Sequence, residues 1–514
     1  MLNHLGHESG ILANGLRESD MSWLRRAGLL VGIPLVLLAL TALVLLILRV
    51  GMVEIQGPAV DEAHLARKDS YLEQLEPVSR ESFNIVLVFF DDLGWGDLSS
   101  YGNPFIDTPN IDGLAAEGLR MTEFYSASPV CTPSRAALLT GRFPPRTRTD
   151  RHVFFNDNHV VGFSRRLLGL ANELPKEEVT LAEILQRAGY QTQLIGKWHL
   201  GTRAGYRPTD FGFDNWYGVL YSNDMYPLDL YRNDEVIIED QRDGGPFSAE
   251  RDERRPLAGQ GIDQRELTAM YTHQAVEFLE AQGETPFFLY VAHSFPHVPH
   301  YASREHAGSS RGGVYGDVVE DLDRSTGEII AALDRLGLGD NTLVIVTSDN
   351  GADYNGSAGS LRGRKGEILE GGQRVPMILR WPARIPAGRV SDQMAMNTDI
   401  FPTLLDVLNI EPPRDRIIDG RSIASTLFSD SSSHEFLYYF PPNSPLPGAI
   451  RDQDFKLTWA AEDYGRAREH LSRMRGAEAH DVRNIYPDVY RRLRDGLAEM
   501  RSAVESNPRG WLGD

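Results

Sequence analysis

Four short strand-like runs alternate with amphipathic stretches along the middle of the chain. They cover residues 84–90, 190–195, 286–292 and 342–348, and all but the second, Y-Q-T-Q-L-I, are mostly apolar. Continuous apolar runs of this length, rich in β-branched residues, are typical of strands buried on both faces of a parallel sheet. Strands that alternate with helices predict an α/β fold in which helices flank a large, mostly parallel sheet.

Stretches with a 3.6-residue apolar period predict the helices of this fold. The stretch from Thr180 to Gly189 begins with a capping box of Thr180 and Glu183 and ends at the glycine. Further helices are expected at 267–279, 319–336, 398–408 and 487–504. Two runs near the C-terminus, 436–440 and 449–459, predict strands of a small antiparallel sheet. This sheet and the last helix would form a C-terminal subdomain.

A long uncharged stretch lies near the N-terminus, from Ala27 to Leu48, with Arg25, Arg26 and Arg49 at its ends. About 20 apolar residues are enough to span a bilayer. The stretch therefore predicts an uncleaved transmembrane helix, and a cleaved signal peptide is the alternative. The basic residues before the span place the large domain outside the cytoplasm, in the periplasm or another extracytoplasmic space.

The pattern divides the chain into five parts. A tail (1–26), the membrane anchor (27–48) and a polar linker (49–82) precede a large α/β domain (83–432) and the C-terminal subdomain (433–514). Scattered leucines in the linker could form one short helix. A charged stretch rich in Gly and Pro at 241–261 is predicted to be a surface insertion.

The charge balance limits what the protein can bind. Among 514 residues, 52 basic and 72 acidic side chains give a net charge of −20. This balance argues against general nucleic-acid binding. An anionic substrate must instead be attracted by a local positive pocket. The single cysteine excludes an intrachain disulfide.

Acidic and amide side chains follow two of the predicted strands. Asp91 and Asp92 come directly after the first run, and Asp349 and Asn350 after the fourth. In open α/β sheets, ligands bind at the carboxyl ends of the strands. Oxygen ligands of this kind favour a hard cation, Ca²⁺ or Mg²⁺, over Zn²⁺. An isolated Asp-Asp pair could also be a turn with solvated acids.

Basic side chains follow the other two strands. Lys197 and His199 lie in G-K-W-H-L-G after the second run, and His297 lies in P-H-V-P after the third. Lys365 lies in a glycine-flanked loop, G-R-K-G. Cations gathered at one edge of a sheet could bind the oxygens of an anionic ester. Nearby His293 and His300 have no assigned role.

The only cysteine, Cys131, lies in the stretch S-P-V-C-T-P-S-R-A-A-L-L-T-G-R. Thr132 and Pro133 predict a helix that begins close to Cys131, with Thr132 as its cap. Backbone N–H groups at such a helix start favour an anion, and Arg135 adds a positive charge one turn further. A lone cysteine can also be a small buried apolar residue.

These motifs resemble those of sulfatases. C-T-P-S-R fits the C-x-P-x-R signature of that family, and A-A-L-L-T-G-R resembles its continuation. G-K-W-H-L-G resembles the second signature, and P-H-V-P and the lysine-glycine loop resemble active-site elements. The resemblance, to arylsulfatase-A-like members, covers roughly 83–497. It implies an alkaline-phosphatase-like fold and the hydrolysis of organic sulfate monoesters to an alcohol and inorganic sulfate.

The resemblance also implies a mechanism. A formylglycine-generating enzyme would oxidise Cys131 to formylglycine, whose hydrate is the nucleophile. Ca²⁺, with Mg²⁺ as the alternative, would be bound by Asp91, Asp92, Asp349, Asn350 and the modified Cys131. The resemblance assigns the remaining roles as follows: Arg135 and Lys197 hold residue 131, Asp349 helps to activate the attacking hydroxyl, His297 or Lys365 protonates the alcohol, and His199 assists the release of sulfate.

Two other functions remain open at this point. A phosphonate monoester or phosphodiester hydrolase could use the same scaffold and the same cysteine modification. A non-catalytic surface protein that binds sulfated glycans would need an unmodified cysteine or a broken metal set. Every catalytic position implied by the resemblance is filled, which favours an enzyme.

Overall fold

One mixed sheet runs through the computed structural model, which describes residues 37–41, 58–151, 153–156, 159–240, 261–429, 431–463, 466–474 and 478–513. Within these residues the sheet has 11 strands, in the order β10-β2-β9-β8-β1-β7-β3-β4-β5-β6, with β11 beside β2. The strands are β1 Asn84–Asp91, β2 Leu119–Tyr125, β3 Gln191–Lys197, β4 Asn215–Val219, β5 Leu230–Arg232, β6 Glu235–Ile238, β7 Phe287–Pro296, β8 Thr342–Ser348, β9 Arg374–Arg380, β10 Arg389–Ser391 and β11 Ala395–Met396.

The centre of the sheet is parallel. β1 pairs with β7 and β8, β3 pairs with β7, and β4 pairs with β3, all in parallel. Every residue of β1, β7 and β8 is buried, as their continuous apolar runs predict. β9 runs antiparallel between β8 and β2. The predicted mostly parallel sheet is therefore confirmed, and the carboxyl ends of β8, β1, β7 and β3 lie side by side.

Helices cover both faces of the sheet. They are α1 Glu62–Glu73, α2 Pro109–Glu117, α3 Cys131–Thr140, α4 Val160–Leu167, α5 Leu181–Arg187, α6 Leu267–Glu280, α7 Gly313–Arg335, α8 Glu370–Gln373, α9 Ile400–Leu408, α10 Ala424–Ser429 and α11 Pro487–Ser506. Leu87 and Phe89 of β1 belong to a core cluster with α3, α5 and α9. Val86 and Val88 belong to a second cluster with α2, α6 and α7. Alternate residues of one strand thus fill two cores.

The helix that carries the cysteine motif begins at Cys131 itself. Its N-cap residue is Val130, which is extended and makes no side-chain capping bond. The prediction that Thr132 caps this helix is therefore wrong. The Thr132 hydroxyl donates to the carbonyl of His199 (3.1 Å) and accepts from the amide of Phe154 (3.0 Å). The helix ends at Gly141, as predicted, with φ of 68°.

A second, four-stranded antiparallel sheet lies towards the C-terminus, in the order β12-β13-β14-β15. Its strands are β12 Leu437–Tyr439, β13 Ala449–Arg451, β14 Phe455–Asp463 and β15 Arg466–Arg473. The single strand predicted over 449–459 is two strands, because the Asp452 carboxylate accepts from the amides of Asp454 and Phe455 and closes a turn. α11 packs Leu493 and Leu497 against Ile450 in this subdomain.

The predicted N-terminal tail and anchor fall almost wholly outside the described residues. Of the predicted span 27–48, residues 37–41 are described, and they are helical. None of the described helices combines the length and the apolar character that crossing a bilayer requires. Of the predicted insertion 241–261, only Gly261 is described.

The predicted linker contains α1, which belongs to the same compact unit, Gly57–Asp514, as the sheet. Lys68 of α1 is buried, and its Nζ lies 2.5 Å from Glu183 of α5. It also donates to the carbonyls of Lys176 (2.9 Å) and Glu178 (2.7 Å). A charged residue therefore anchors this helix, which hydropathy alone does not reveal.

We expect Lys68→Ala to lower the free energy of unfolding by about 3–5 kcal/mol, because it leaves the Glu183 carboxylate buried without its partner. Urea unfolding of the full chain measures the change. The matched control is Asp69→Ala on the exposed side of the same helix, which should shift it by less than about 0.5 kcal/mol. Equal effects of the two substitutions would show that the buried pair does not anchor α1.

Candidate active site

The site predicted from four separate strand ends is one cluster of side chains at the carboxyl edge of the parallel strands. Asp91 ends β1 and Asp92 follows it, Asp349 and Asn350 follow β8, and Lys197 ends β3. Direct contacts, described below, join these residues to Cys131, Arg135, His297 and Lys365. His199 joins the cluster through Thr132, which bonds to its carbonyl.

Asp91 is the most connected carboxylate of the cluster, and it is fully buried. Lys197 Nζ donates to Asp91 Oδ2 at 2.6 Å, and Cys131 Sγ donates to Oδ1 at 3.4 Å. Arg135 Nη2 lies 3.7 Å from the same Oδ1. Burial alone would raise the pKa of Asp91, but the charges of Lys197, His297 and Arg135 hold this pKa well below its usual range. Asp91 is therefore a carboxylate.

Asp92 has an unusual backbone conformation, with φ of 69°. A residue other than glycine in this left-handed region is strained, and such strain collects at functional sites. Asn350 Nδ2 donates to Asp92 Oδ1 and Lys365 Nζ donates to Oδ2, both at 2.7 Å. His297 Nε2 lies 3.7 Å from Oδ2. The strained turn thus directs both carboxylate oxygens at groups from three other segments.

Arg135 and Asp349 form a buried ion pair behind the cysteine. Arg135 donates to Asp349 Oδ2 from Nε (3.0 Å) and Nη2 (2.8 Å), and to the carbonyl of Lys197 from Nη1 (3.1 Å). Burial and the neighbouring charge of Asp91 raise the pKa of Asp349 to about 6. Asp91 and Asp349 both lie beside Arg135 Nη2. Two carboxylates that share a site need further positive charge to be ionised together.

Cys131 is only 2% exposed. Burial, together with the negative charges of Asp349 and Asp91, raises the pKa of the thiol well above its usual value. The thiolate is the reactive form of cysteine, and reactive cysteines lie in electropositive, partly exposed surroundings. Cys131 therefore lies at the centre of the site in surroundings that suppress thiolate chemistry.

His199, one of the two predicted catalytic histidines, is buried. His199 has φ of 61°, and its Nε2 lies 3.0 Å from the carbonyl oxygen of Phe154. Because a carbonyl only accepts, Nε2 carries the proton and Nδ1 is a base; it has no hydrogen-bond partner among the described residues. Burial and the repulsion of Lys197 and Arg135 hold the pKa of His199 well below its usual value, so the ring is neutral.

His293 and His300, which the sequence left unassigned, lie outside the cluster of direct contacts. His293 is buried, with its ring centroid 5.7 Å from that of Phe90, and burial lowers its pKa to about 3. His300 packs its ring edge-to-face on Tyr315. The ring of each histidine therefore lies against an aromatic neighbour.

The residues present fit a hard divalent cation. Asp91, Asp92, Cys131 and His297 each offer a ligand atom, and these atoms lie within 4.8 Å of one another. This group includes His297, which the sequence assigned to proton transfer, and leaves out Asp349. Asn350 Oδ1 is buried and accepts no hydrogen bond from the described residues. Carboxylate and amide oxygens in this number suit Ca²⁺ or Mg²⁺.

Two residues at the site were given no individual role by sequence reasoning. Ser222 Oγ accepts from Lys197 Nζ at 3.2 Å and lies 3.3 Å from His297 Nδ1. Asn223 Oδ1 lies 3.2 Å from the same Nδ1. Both follow β4, the parallel neighbour of β3. The rule that ligands bind at strand carboxyl ends would have found them, had the short run 215–219 been recognised as a strand.

Comparison with known proteins shows the family of the chain. The chain matches the Sulfatase family model over residues 83–410 and the N-sulphoglucosamine sulphohydrolase C-terminal model over 364–487. It is 39% identical to the N-acetylgalactosamine-6-sulfatase of Mus musculus over 392 residues, which cover 73% of this chain and 72% of that protein. It is 35% identical to the steryl-sulfatase of Rattus norvegicus over 446 residues, 74% of this chain and 76% of that protein.

A solved structure, described as part of a study of glycosaminoglycan metabolism by Bacteroides thetaiotaomicron, has the same fold. It superposes with a TM-score of 0.71 at 28% identity, over 82% of this chain and 100% of that one. The family model spans most of the large domain, including Asp91, Asp92, Lys197, Asp349 and Asn350 at the strand ends and Cys131. The chain therefore belongs to the sulfatase family, and it is an enzyme that hydrolyses sulfate esters.

Proposed function

We propose that this sulfatase hydrolyses sulfate monoesters of alcohols, with formylglycine made from Cys131 as its nucleophile and Ca²⁺ as its metal. The observation that carries the proposal is the surroundings of Cys131. Its side chain is buried at the start of α3, in contact with Asp91 and beside two further carboxylates and several cations. These surroundings disfavour a thiolate and suit an oxygen nucleophile beside a hard cation.

The modification gives the protein one obligatory partner, a formylglycine-generating enzyme that oxidises Cys131. In the hydrated aldehyde, a hydroxyl group would attack sulfur from the position that the thiol now occupies. Arg135 and Lys197 would hold that position, because both contact Asp91, the carboxylate that accepts from Cys131. His199, neutral and with Nδ1 free to accept, is suited to take a proton at the stage when sulfate leaves.

Charge counting supports a bound dication. Three carboxylates face three basic side chains. The carboxylates are Asp91, Asp92 and Asp349, and the basic side chains are Arg135, Lys197 and Lys365. A dication held by the three carboxylates and Asn350 would leave the pocket positive, which a substrate anion needs in a protein of net charge −20. Bound there, Ca²⁺, or Mg²⁺ in its place, would stabilise negative charge on the oxygens of the reacting centre.

The substrate's alcohol would leave on the side of His297 and Lys365. The side chain of Lys365 is 22% exposed and that of His297 is 8% exposed, whereas Asp91, Lys197 and Asp349 are fully buried. The leaving oxygen of an alkyl sulfate gains charge as the S–O bond breaks and needs a proton there. Two proton donors at the open side therefore favour an alcohol over an acidic phenol as the leaving group.

Sugar sulfates are the alcohols that we propose. One relative is named for N-acetylgalactosamine 6-sulfate, and it is the more similar of the two relatives described above. A phosphodiester is the alternative substrate on this scaffold. A sulfate monoester and a phosphodiester each carry one negative charge. Charge therefore does not distinguish the two substrates, and their rates of hydrolysis must be measured side by side.

We also propose the arrangement of the chain from its sequence. Residues 27–48 anchor the protein in a membrane, and the catalytic domain (83–432) and C-terminal subdomain (433–514) lie in the periplasm or another extracytoplasmic space. The support is the uncharged length of 27–48 and the arginines before it.

The test compares three substrates with protein matured in a host that has the modifying enzyme. We expect sulfate release from N-acetylgalactosamine 6-sulfate and from 4-nitrophenyl sulfate, with kcat/KM at least about tenfold above that for bis(4-nitrophenyl) phosphate. We expect His297→Ala to cost about 10²–10⁴-fold on the sugar sulfate and much less on the nitrophenyl ester, whose phenol leaves without a proton. Faster cleavage of the phosphodiester, or equal loss on both sulfates, would contradict the proposal.

A further inference from the structure

A buried pair of amide side chains, Asn223 and Gln264, lies behind His297. Asn223 is fully buried, Gln264 is 5% exposed and His297 is 6% exposed. Asn223 follows β4, Gln264 begins the short 3₁₀ turn before α6, and His297 follows β7. We propose that Asn223, itself held by Gln264, is a positioning residue that, together with the carbonyl of Val298, fixes the tautomer and orientation of His297. This inference rests on the proposed role of His297 as the proton donor to the leaving alcohol.

The backbone determines which ring nitrogen of His297 carries the proton. His297 Nδ1 lies 2.6 Å from the carbonyl oxygen of Val298, which can only accept a hydrogen bond. Nδ1 must therefore be protonated, in the neutral ring and in the imidazolium alike. Asn223 Oδ1, 3.2 Å from Nδ1, is a second acceptor for this N–H group. The remaining nitrogen, Nε2, is the one that lies near Asp92, at 3.7 Å.

The orientations of the two amides are determined in the same way. Asn223 Nδ2 donates to the carbonyl of Pro299 at 3.2 Å, so Oδ1 is the atom that faces His297. Gln264 Nε2 donates to the carbonyl of Asn223 at 3.0 Å, so Gln264 Oε1 accepts from Asn223 Nδ2 at 3.1 Å. The backbone carbonyls of Pro299 and Asn223 only accept hydrogen bonds, so they fix the orientation of the two side-chain amides. A flip of either amide would place its oxygen against another acceptor.

Ser222 cannot fix the orientation of His297, although it contacts the same ring. Its Oγ lies 3.3 Å from His297 Nδ1 and 3.4 Å from Nε2, and a hydroxyl both donates and accepts. It therefore does not discriminate between the two ring orientations. Asn223 does, because its acceptor faces Nδ1 only.

The transfer of a proton as the alcohol leaves explains why the orientation of His297 matters. As the S–O bond breaks, its electron pair stays on the ester oxygen, and the proton on Nε2 of the imidazolium moves to that oxygen. The ring is left neutral with its proton on Nδ1. Val298 O and Asn223 Oδ1 accept from that N–H before and after the transfer, so no hydrogen bond must be rearranged.

Asn223→Ala tests the inference by leaving-group dependence. We expect kcat/KM to fall about 10–100-fold on N-acetylgalactosamine 6-sulfate, whose alcohol must be protonated, a loss of the size that orienting partners cause elsewhere. The loss on 4-nitrophenyl sulfate should be at least about tenfold smaller, because nitrophenolate leaves without an acid. Gln264→Leu, one contact further from the ring, should give the same selectivity with a smaller loss, and it serves as the test if Asn223→Ala does not fold.

The matched control is Asn84→Ala. Asn84 is a buried amide at the start of β1, the opposite end of the strand from Asp91, where it bonds to Thr342 and Phe287. Any loss there should be equal for both substrates, because it would reflect folding alone. Equal losses for Asn223→Ala would overturn the inference.

A double substitution separates this inference from the function on which it rests. In a His297→Ala background, Asn223→Ala should cost no further activity, because the group that it positions is gone. If His297→Ala is selective for the sugar sulfate but Asn223→Ala is not, only the positioning role fails. If His297→Ala is itself unselective, the proton-donor role fails, and the positioning role with it.

Discussion

We expect Cys131→Ala to abolish sulfate-ester hydrolysis, a loss of at least about 10⁴-fold, because it removes the proposed nucleophile. Cys131→Ser should leave almost no activity either. A serine hydroxyl occupies the same place, but it is not an aldehyde hydrate and is not made into one by the proposed maturation. The measurement is the rate of sulfate release by the full chain from a host that has the modifying enzyme.

A mass spectrum of the peptide that carries residue 131 identifies the chemical cause of this loss. The active protein should show the mass of the aldehyde in place of the thiol. Thr140→Ala on the same helix is the matched control: its buried hydroxyl donates only to the carbonyl of Ala136, so it should keep both the modification and most of the activity. An intact thiol together with full activity would overturn the mechanism.

Sequence patterns predicted that the candidate site residues meet at one edge of the sheet, because two independent signals coincide there. β1, β7 and β8 are apolar over most of their length, so they are recognisable as buried strands of a parallel sheet, whereas β3, Q-T-Q-L-I-G-K, gives a weaker signal. Each is followed by polar residues at its carboxyl end. Parallel pairing then brings these residues together without any knowledge of loop conformation. This inference needs only the parallel arrangement of the strands, which their apolar pattern indicates.

The features that could not be predicted depend on tertiary partners of polar side chains. Thr132 looks like a helix cap in the sequence, but its hydroxyl instead joins two distant backbone groups, at His199 and Phe154. Lys68 reads as exposed, yet it is buried because three acceptors surround it. Asn223 follows a strand too short to be recognised. Hydropathy reports where apolar groups go, and it carries no information on which buried acceptor a polar group will meet.

Removal of the metal should inactivate the enzyme by at least about a hundredfold, because a dication contributes several kcal/mol of charge stabilisation at the reacting oxygens. Binding should also be visible without any substrate. A ligand that binds only the folded state at 100 times its Kd stabilises that state by about 2.7 kcal/mol. Ca²⁺ added to chelated protein should therefore raise its melting temperature, and Mg²⁺, which demands a tighter octahedral site, serves as the comparison.

Two substitutions determine whether this stabilisation comes from the candidate site. Asp92→Asn removes one of the three carboxylates and should abolish the calcium-induced rise in melting temperature. Asp323→Asn is the matched control, because Asp323 is a buried carboxylate held by Asn110 and the amide of Ile111, with no place in the cluster. It lowers the melting temperature itself but should leave the calcium-induced rise intact. The same rise in both variants, or none in the unchanged protein, would contradict an oxygen-ligand site at Asp92.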